Sequence, residues 1–237
     1  MRYAMKKFSN IYIFSFASIM VIVVAAVLSV AALILQPLQE RNVAIEKMRN
    51  ILSSIQVQST AADAQEKYNQ YIVETFVINS EGEKIEGFDA FTIDMRAEMR
   101  KPLEERHLPV FVGMKNDGRK IIVPLHGKGL WGPIYGYLAL EEDMKTIYGV
   151  NFGHDKETPG LGAEISESWF QEPFAGKSIF DESGRFTSIE VERGGAEPGD
   201  PHAVDAISGG TITSKGLESM LYDCLLSYES YFKKEGI

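Results

Sequence analysis

The chain has 237 residues, 45% of them hydrophobic and 24% charged, with a formal net charge of −9. That acidic balance argues against a nucleic-acid partner and against electrostatic adsorption to anionic lipid. A single cysteine, Cys224, excludes an intramolecular disulfide and a cysteine metal cluster. Its place in an apolar helical stripe makes it a small core residue.

The first element is an apolar span. No Asp, Glu, Lys or Arg occurs across residues 8–39. Residues 11–35 would rise roughly 37 Å as a helix, more than the ~30 Å of a hydrocarbon layer. A signal peptide has an apolar stretch of only about 7–15 residues before a small-residue cleavage site. Here the stretch is longer and ends in bulky residues, which predicts an uncleaved anchor. Arg2, Lys6 and Lys7 precede it, so the positive-inside rule keeps the N-terminus in the cytoplasm. The expected setting is a bacterial inner membrane crossed once, with the remainder in the periplasm. With those three cations set aside, the remainder carries a formal −12. Pro37 is expected to end or kink the span. Three regions follow: 1–36 for the N-terminus and transmembrane helix, 37–60 for a juxtamembrane helix, and 61–237 for one soluble domain.

Residues 39–55 read as that juxtamembrane helix, with Ala44, Met48, Ile51, Leu52 and Ile55 on one face. Residues 61–70 also read as helical. Residues 71–78 read as a strand followed by a turn at Gly82. Residues 93–106 are ambiguous, interrupted by Pro102. A hairpin is predicted from residues 109–113 and 120–125 around Asn116-Asp117-Gly118, a strong tight-turn signal. Residues 134–140, 146–152 and 186–192 are strand candidates, and 163–174 a helix. The last helix is predicted over 215–234, with Leu217, Met220, Leu221, Cys224, Leu225, Tyr228 and Tyr231 in one stripe and Thr213 or Ser214 as N-cap. Central strands with helices toward the ends predict an α+β fold. Its sheet is mainly antiparallel and flanked by helices, after a single N-terminal transmembrane helix.

Three motifs carry chemistry. Gly127-Lys-Gly129-Leu-Trp131-Gly132 matches the dinucleotide string G-x-G-x-x-G, but that site needs a helix right after the glycines. Pro133 and an apolar strand follow instead, so the glycines make a close-packed turn. Glu157-Thr158-Pro159-Gly160-Leu161-Gly162 is a rigid turn flanked by glycines. His154 beside it reads as structural or solvent-facing, since a catalytic histidine needs a positioned proton partner. Asp205-Ala-Ile-Ser208-Gly209-Gly210-Thr211-Ile-Thr213-Ser-Lys215 puts small residues before a helix. Free amide groups and the helix dipole would there favour phosphate. A capped helix after a turn is the plainer alternative.

Asp-x-x-Ser-Gly-x-Thr resembles the flavinylation motif of the FMN-binding domain family, with Gly210 where that family usually has alanine. The Gly-x-Gly-Leu-Trp and Glu-Thr-Pro-Gly-Leu-Gly segments resemble two further motifs of the family, in the family's order. The run 212–216 is similar to one branch, the C subunits of Na+-translocating NADH:quinone oxidoreductases. A sister branch, the G subunits of the Rnf electron-transport complex, shares anchor and flavin motif. The resemblance implies FMN joined through its phosphate to Thr211 by a flavin transferase. Ser208, Gly209, Gly210 and Thr213 would lie around the attachment point, and Thr158 and Leu161 against the flavin. Trp131 would lie near the ring, or else sit half-buried at a sheet corner. It also implies an electron carrier docked against other subunits, passing electrons from NADH toward quinone in a Na+-pumping assembly.

No catalytic residue or metal ligand is assigned to this chain, and no charged residue in the span could line an ion path. Two other classes stand beside the carrier. One is a flavin-free, membrane-tethered binding module, with Thr211 only a cap. The other is a hydrolase using Ser208 or Thr211, which lacks a G-x-S-x-G elbow and a clearly paired histidine.

Overall fold

The computed structural model describes residues 9–115 and 118–236. The N-terminal cations Arg2, Lys6 and Lys7, and the turn residues Asn116 and Asp117, lie outside them. The chain divides into two compact units, Met1–Glu46 and Lys47–Ile237.

Helix α1, Asn10–Ser54, carries Pro37 inside it. The helix does not end at the proline, and the anchor and the juxtamembrane segment are one helix in secondary structure. An 18-residue window of α1 reaches a mean hydropathy of 3.0 and none of it is buried. A helix clothed in exposed apolar side chains is a membrane span, since water would penalise every one of them.

In the second unit, α2 (Ala64–Tyr71) leads into β1 (Ile72–Ile78), followed by the short β2 (Lys84–Ile85) and α3 (Met95–Glu98). Strands β3 (Leu108–Lys115), β4 (Gly118–Lys128), β5 (Pro133–Leu140) and β6 (Ile147–His154) then form a meander. All pairings in this six-stranded sheet are antiparallel, in the order β2-β1-β3-β4-β5-β6. Phe111 pairs with Ile122, and Ile122 with Ala139. These side chains share one face and pack with Ile51 and Leu52 of α1 and with Ile55 just past its end. Their neighbours Val112, Ile121 and Leu140 point the other way. There they meet the final helix through Leu221, Leu225 and Tyr228. Because both faces are covered, β3 and β4 read as apolar runs rather than as alternating strands.

The expected helix 163–174 is three short turns. A 3-10 turn (Gly162–Ser166) ends where Glu167 goes extended (φ −83°, ψ 144°), α4 follows (Ser168–Gln171), and Pro173 sits in a second 3-10 turn. The expected strand 186–192 shrinks to β7, Glu190–Glu192, because Ser188 adopts φ +61°. Strand β7 pairs in parallel with β8, Ala203–Asp205, an element the sequence pattern did not show. Helix α5 spans Thr211–Gly236, so it starts one turn before the expected Lys215. The whole predicted stripe from Leu217 to Tyr231 is buried along it, Cys224 included.

Candidate functional site

The three motifs converge on the first turn of α5. Strand β8 delivers the chain to Ile207, whose carbonyl accepts from the Gly210 amide at 3.0 Å. Gly209 takes φ +77°, and a Cβ there would stand 2.6 Å from Leu161 Cδ2. Glycine is therefore required twice over, for the torsion and for the contact. The Ser214 amide donates to the Gly210 carbonyl at 2.9 Å, closing the first turn and making Gly210 the N-cap position. Thr211 is thus the first helical residue, and the amides of Thr211, Ile212 and Thr213 have no carbonyl one turn back.

Thr213 and Ser214, the expected caps, lie inside the helix and are buried. The Ser214 hydroxyl accepts from the Ile207 amide at 3.2 Å. Thr213 Oγ1 donates to Glu157 Oε2 at 2.6 Å. The Thr213 hydroxyl thus gives its proton to the protein and lies buried, away from the exposed surface where it was expected around the attachment point.

Glu157 joins the three motifs. Its Oε1 accepts from the Trp131 amide at 2.8 Å, and its own amide donates to His154 Nδ1 at 3.3 Å. Glu157 as a whole is only 5% exposed. Gly129 and Gly162 make room for it: a Cβ on either would lie 2.5 Å from a carboxylate oxygen. His154 is therefore a loop fastener, with Nδ1 occupied as an acceptor. The turn carrying Trp131 links β4 to β5, closed by the Gly129 amide donating to the Gly132 carbonyl at 2.8 Å. No helix follows it, which excludes the dinucleotide reading.

With Thr213 and Glu157 facing inward, the residues facing outward are Ser208, Gly209, Thr211, Thr158, Leu161 and Trp131. Trp131 is 64% exposed and Leu161 41%. Of the two placements open for Trp131, the half-buried corner is excluded. Leu130 and Ile212 are exposed as well and were not singled out from sequence. Their signal was available, because each is an apolar residue next to a motif position. The result is an accessible threonine hydroxyl on a helix N-terminus, rimmed by apolar surface and by a glycine turn. That arrangement can hold an anion at the helix N-terminus with a flat apolar group beside it. Among the described residues, no group of three or more His, Cys, Asp or Glu could hold a metal ion.

Comparison with known proteins shows the family. Residues 129–226 match the family model of the FMN-binding domain. The C subunit of the Na+-translocating NADH-quinone reductase from Vibrio vulnificus (strain YJ016) is 32% identical over 214 residues, covering 83% of each chain. The crystal structure of the C subunit from Parabacteroides distasonis ATCC 8503 is 45% identical, with a TM-score of 0.77, over 84% of this chain and 96% of that one. That of Shewanella oneidensis NqrC is 27% identical, with a TM-score of 0.69, over 83% and 97%. Identity of 32% over 83% of both chains shows the family: the chain belongs to the C subunits of Na+-translocating NADH-quinone reductases.

Proposed function

We propose that this chain is the membrane-anchored FMN carrier of a Na+-translocating NADH-quinone reductase, with FMN held covalently through its phosphate on Thr211. The observation that carries this reading is the position of Thr211. Its side chain is exposed, it opens α5, and the free amides of the first turn surround it. Ser208, Gly209 and Gly210 keep the approach free of bulk, while Thr158, Leu161 and Trp131 offer the surface on which a ring could rest.

When bound, the flavin supplies the electron chemistry of the subunit. The protein supplies position. The Glu157 bridge fixes the Trp131 turn to the first turn of α5, and Leu161 against Gly209 fixes the neighbouring loop. A covalent ester suits a relay that must not release its cofactor. The exposed rim suits electron exchange with a neighbouring subunit, and reduction by NADH belongs to another subunit. A flavin transferase is the maturation partner. In this reading the anchor crosses the inner membrane with its N-terminus in the cytoplasm and the flavin domain in the periplasm. The organisation is residues 1–36 for the anchor, 37–60 for the juxtamembrane segment and 61–237 for the FMN domain.

The test is an intact mass of the denatured chain after co-expression with a flavin transferase, beside Thr211→Val. A flavin-sized gain and in-gel fluorescence in the wild type alone are expected. No gain in either, with the transferase active on a control substrate, overturns the covalent reading.

A further inference from the structure

A groove of about 730 Å³ adjoins the start of α5, lined by Arg96, Arg100, His126, Lys128, Ile212 and Lys215. Asp223 is the only carboxylate in its lining. Lys215 is bridged to Glu218 at 2.8 Å. Among the described residues, by contrast, Arg96, Arg100 and Lys128 take part in no ion pair. Three unpartnered cations thus share one concavity on a chain of formal charge −9. These cations are exposed and repel one another; the carboxylates nearby are Asp223 in the lining and Asp94 and Asp155 acting on His126.

We propose that this groove docks an acidic segment of another subunit of the reductase and holds that subunit beside Thr211. This rests on the carrier reading above. Three observations favour a protein segment. The charge is complementary to carboxylates, for which the guanidinium fork of arginine is the matching donor. The groove shares Ile212 and Lys215 with the first turn of α5, so an occupant lies against the turn that carries Thr211. Ile212, 60% exposed, also gives its rim the apolar contact of a protein interface. A relay must bring its cofactor near a partner's, and a cationic groove on an acidic surface fixes which face of the domain presents itself.

The experiment uses the assembled complex with R96E/R100E/K128E in this chain. Retention of the chain by the other subunits is followed against ionic strength. The expected result is an apparent affinity weakened by at least about tenfold, with covalent flavin by intact mass and the unfolding midpoint both unchanged. In the wild-type complex, a carbodiimide, which joins amines to carboxylates, should link Lys128 to a Glu or Asp of another subunit. The neutral R96Q/R100Q pair repeats the retention test should the reversal disturb folding. Retention equal to wild type at every ionic strength overturns the proposal. So do Lys128 links confined to this chain, and so does normal assembly with flavin lost, which would assign the groove to cofactor attachment. A wild-type chain that assembles through this groove yet carries no covalent flavin would overturn the carrier reading and leave the docking surface standing.

Discussion

Removing the Glu157 carboxylate should loosen all three motif segments at once. In Glu157→Ala, the Trp131 amide and the Thr213 hydroxyl lose acceptors at 2.8 and 2.6 Å in a site that is only 5% exposed. Hydrogen bonds to a charged group contribute about 1.5–3 kcal/mol each, and donors left buried and unpaired add their desolvation cost. Relief of the buried charge offsets part of this. The expected loss is about 3–5 kcal/mol. Glu157→Gln keeps the shape and one acceptor. Its oxygen can take the Trp131 amide, while its NH2 faces Thr213 Oγ1, whose hydrogen must turn elsewhere. That should cost about 1–2 kcal/mol. The assay is urea unfolding of the detergent-solubilised full chain by tryptophan fluorescence, since Trp131 and Trp169 both lie in the soluble unit. With a slope of about 2 kcal/mol per molar urea, the alanine variant's midpoint should fall by about 2 M. An alanine variant within about 0.5 kcal/mol of wild type would refute the bridge, as would a glutamine variant equally destabilised.

Gly162→Ala should cost about 1–3 kcal/mol in the same assay, since its Cβ would lie 2.5 Å from Glu157 Oε2; an unchanged midpoint would show that the loop gives way. Trp131→Ala should leave stability within about 0.5 kcal/mol, as expected for an exposed side chain, yet alter the fluorescence of the attached flavin; no spectral change would place the ring elsewhere. Burial pushes the Cys224 thiol up to about 12, so iodoacetamide at pH 8 should modify it only after unfolding, and equal rates in folded and unfolded chains would contradict the packing of α5 on β4. Burial, helped by Arg96 and Arg100, pushes His126 below its ordinary 6.5, against the opposing pull of Asp94 and Asp155. The unfolded chain then takes up this proton first. The stability due to His126 is full above about pH 6.5 and is lost as pH falls through the folded value. Acid destabilisation below pH 6.5 should therefore be shallower in His126→Gln, and parallel curves would refute the assignment.

The sheet was legible because its strands are long, apolar and bounded by turn residues. The stretches 109–113, 120–125, 134–140 and 146–152 all fall within β3 to β6, save for Thr146 at the edge of β6. What was not legible depended on contacts distant in sequence. Strand β8 has three residues and exists because β7 lies beside it, and β7 is in turn held by the Val191 amide donating to Glu218 of α5 at 2.8 Å. No local pattern encodes a pairing of that kind. The helix expected over 163–174 failed for a local reason, the extended Glu167 followed by Pro173.

The start of α5 joins these limits to function. Thr213 and Ser214 are favoured N-caps, so local preference starts the helix at Lys215. In the fold their hydroxyls are satisfied inward, by Glu157 and by the Ile207 amide, and that satisfaction extends the helix by one turn. The extension moves Thr211 from a loop to the first helical position, beside amides that lack a partner within the helix. In the proposed carrier, the same hydroxyls that were expected to cap the helix or touch a ligand would place Thr211 for one. Disrupting them should therefore lower the yield of covalent flavin without any change at Thr211 itself. Thr213→Val, which keeps the shape and removes only the hydroxyl, isolates that effect: less flavin per chain by intact mass is expected, and full loading would mean that the inward bonds matter for folding alone.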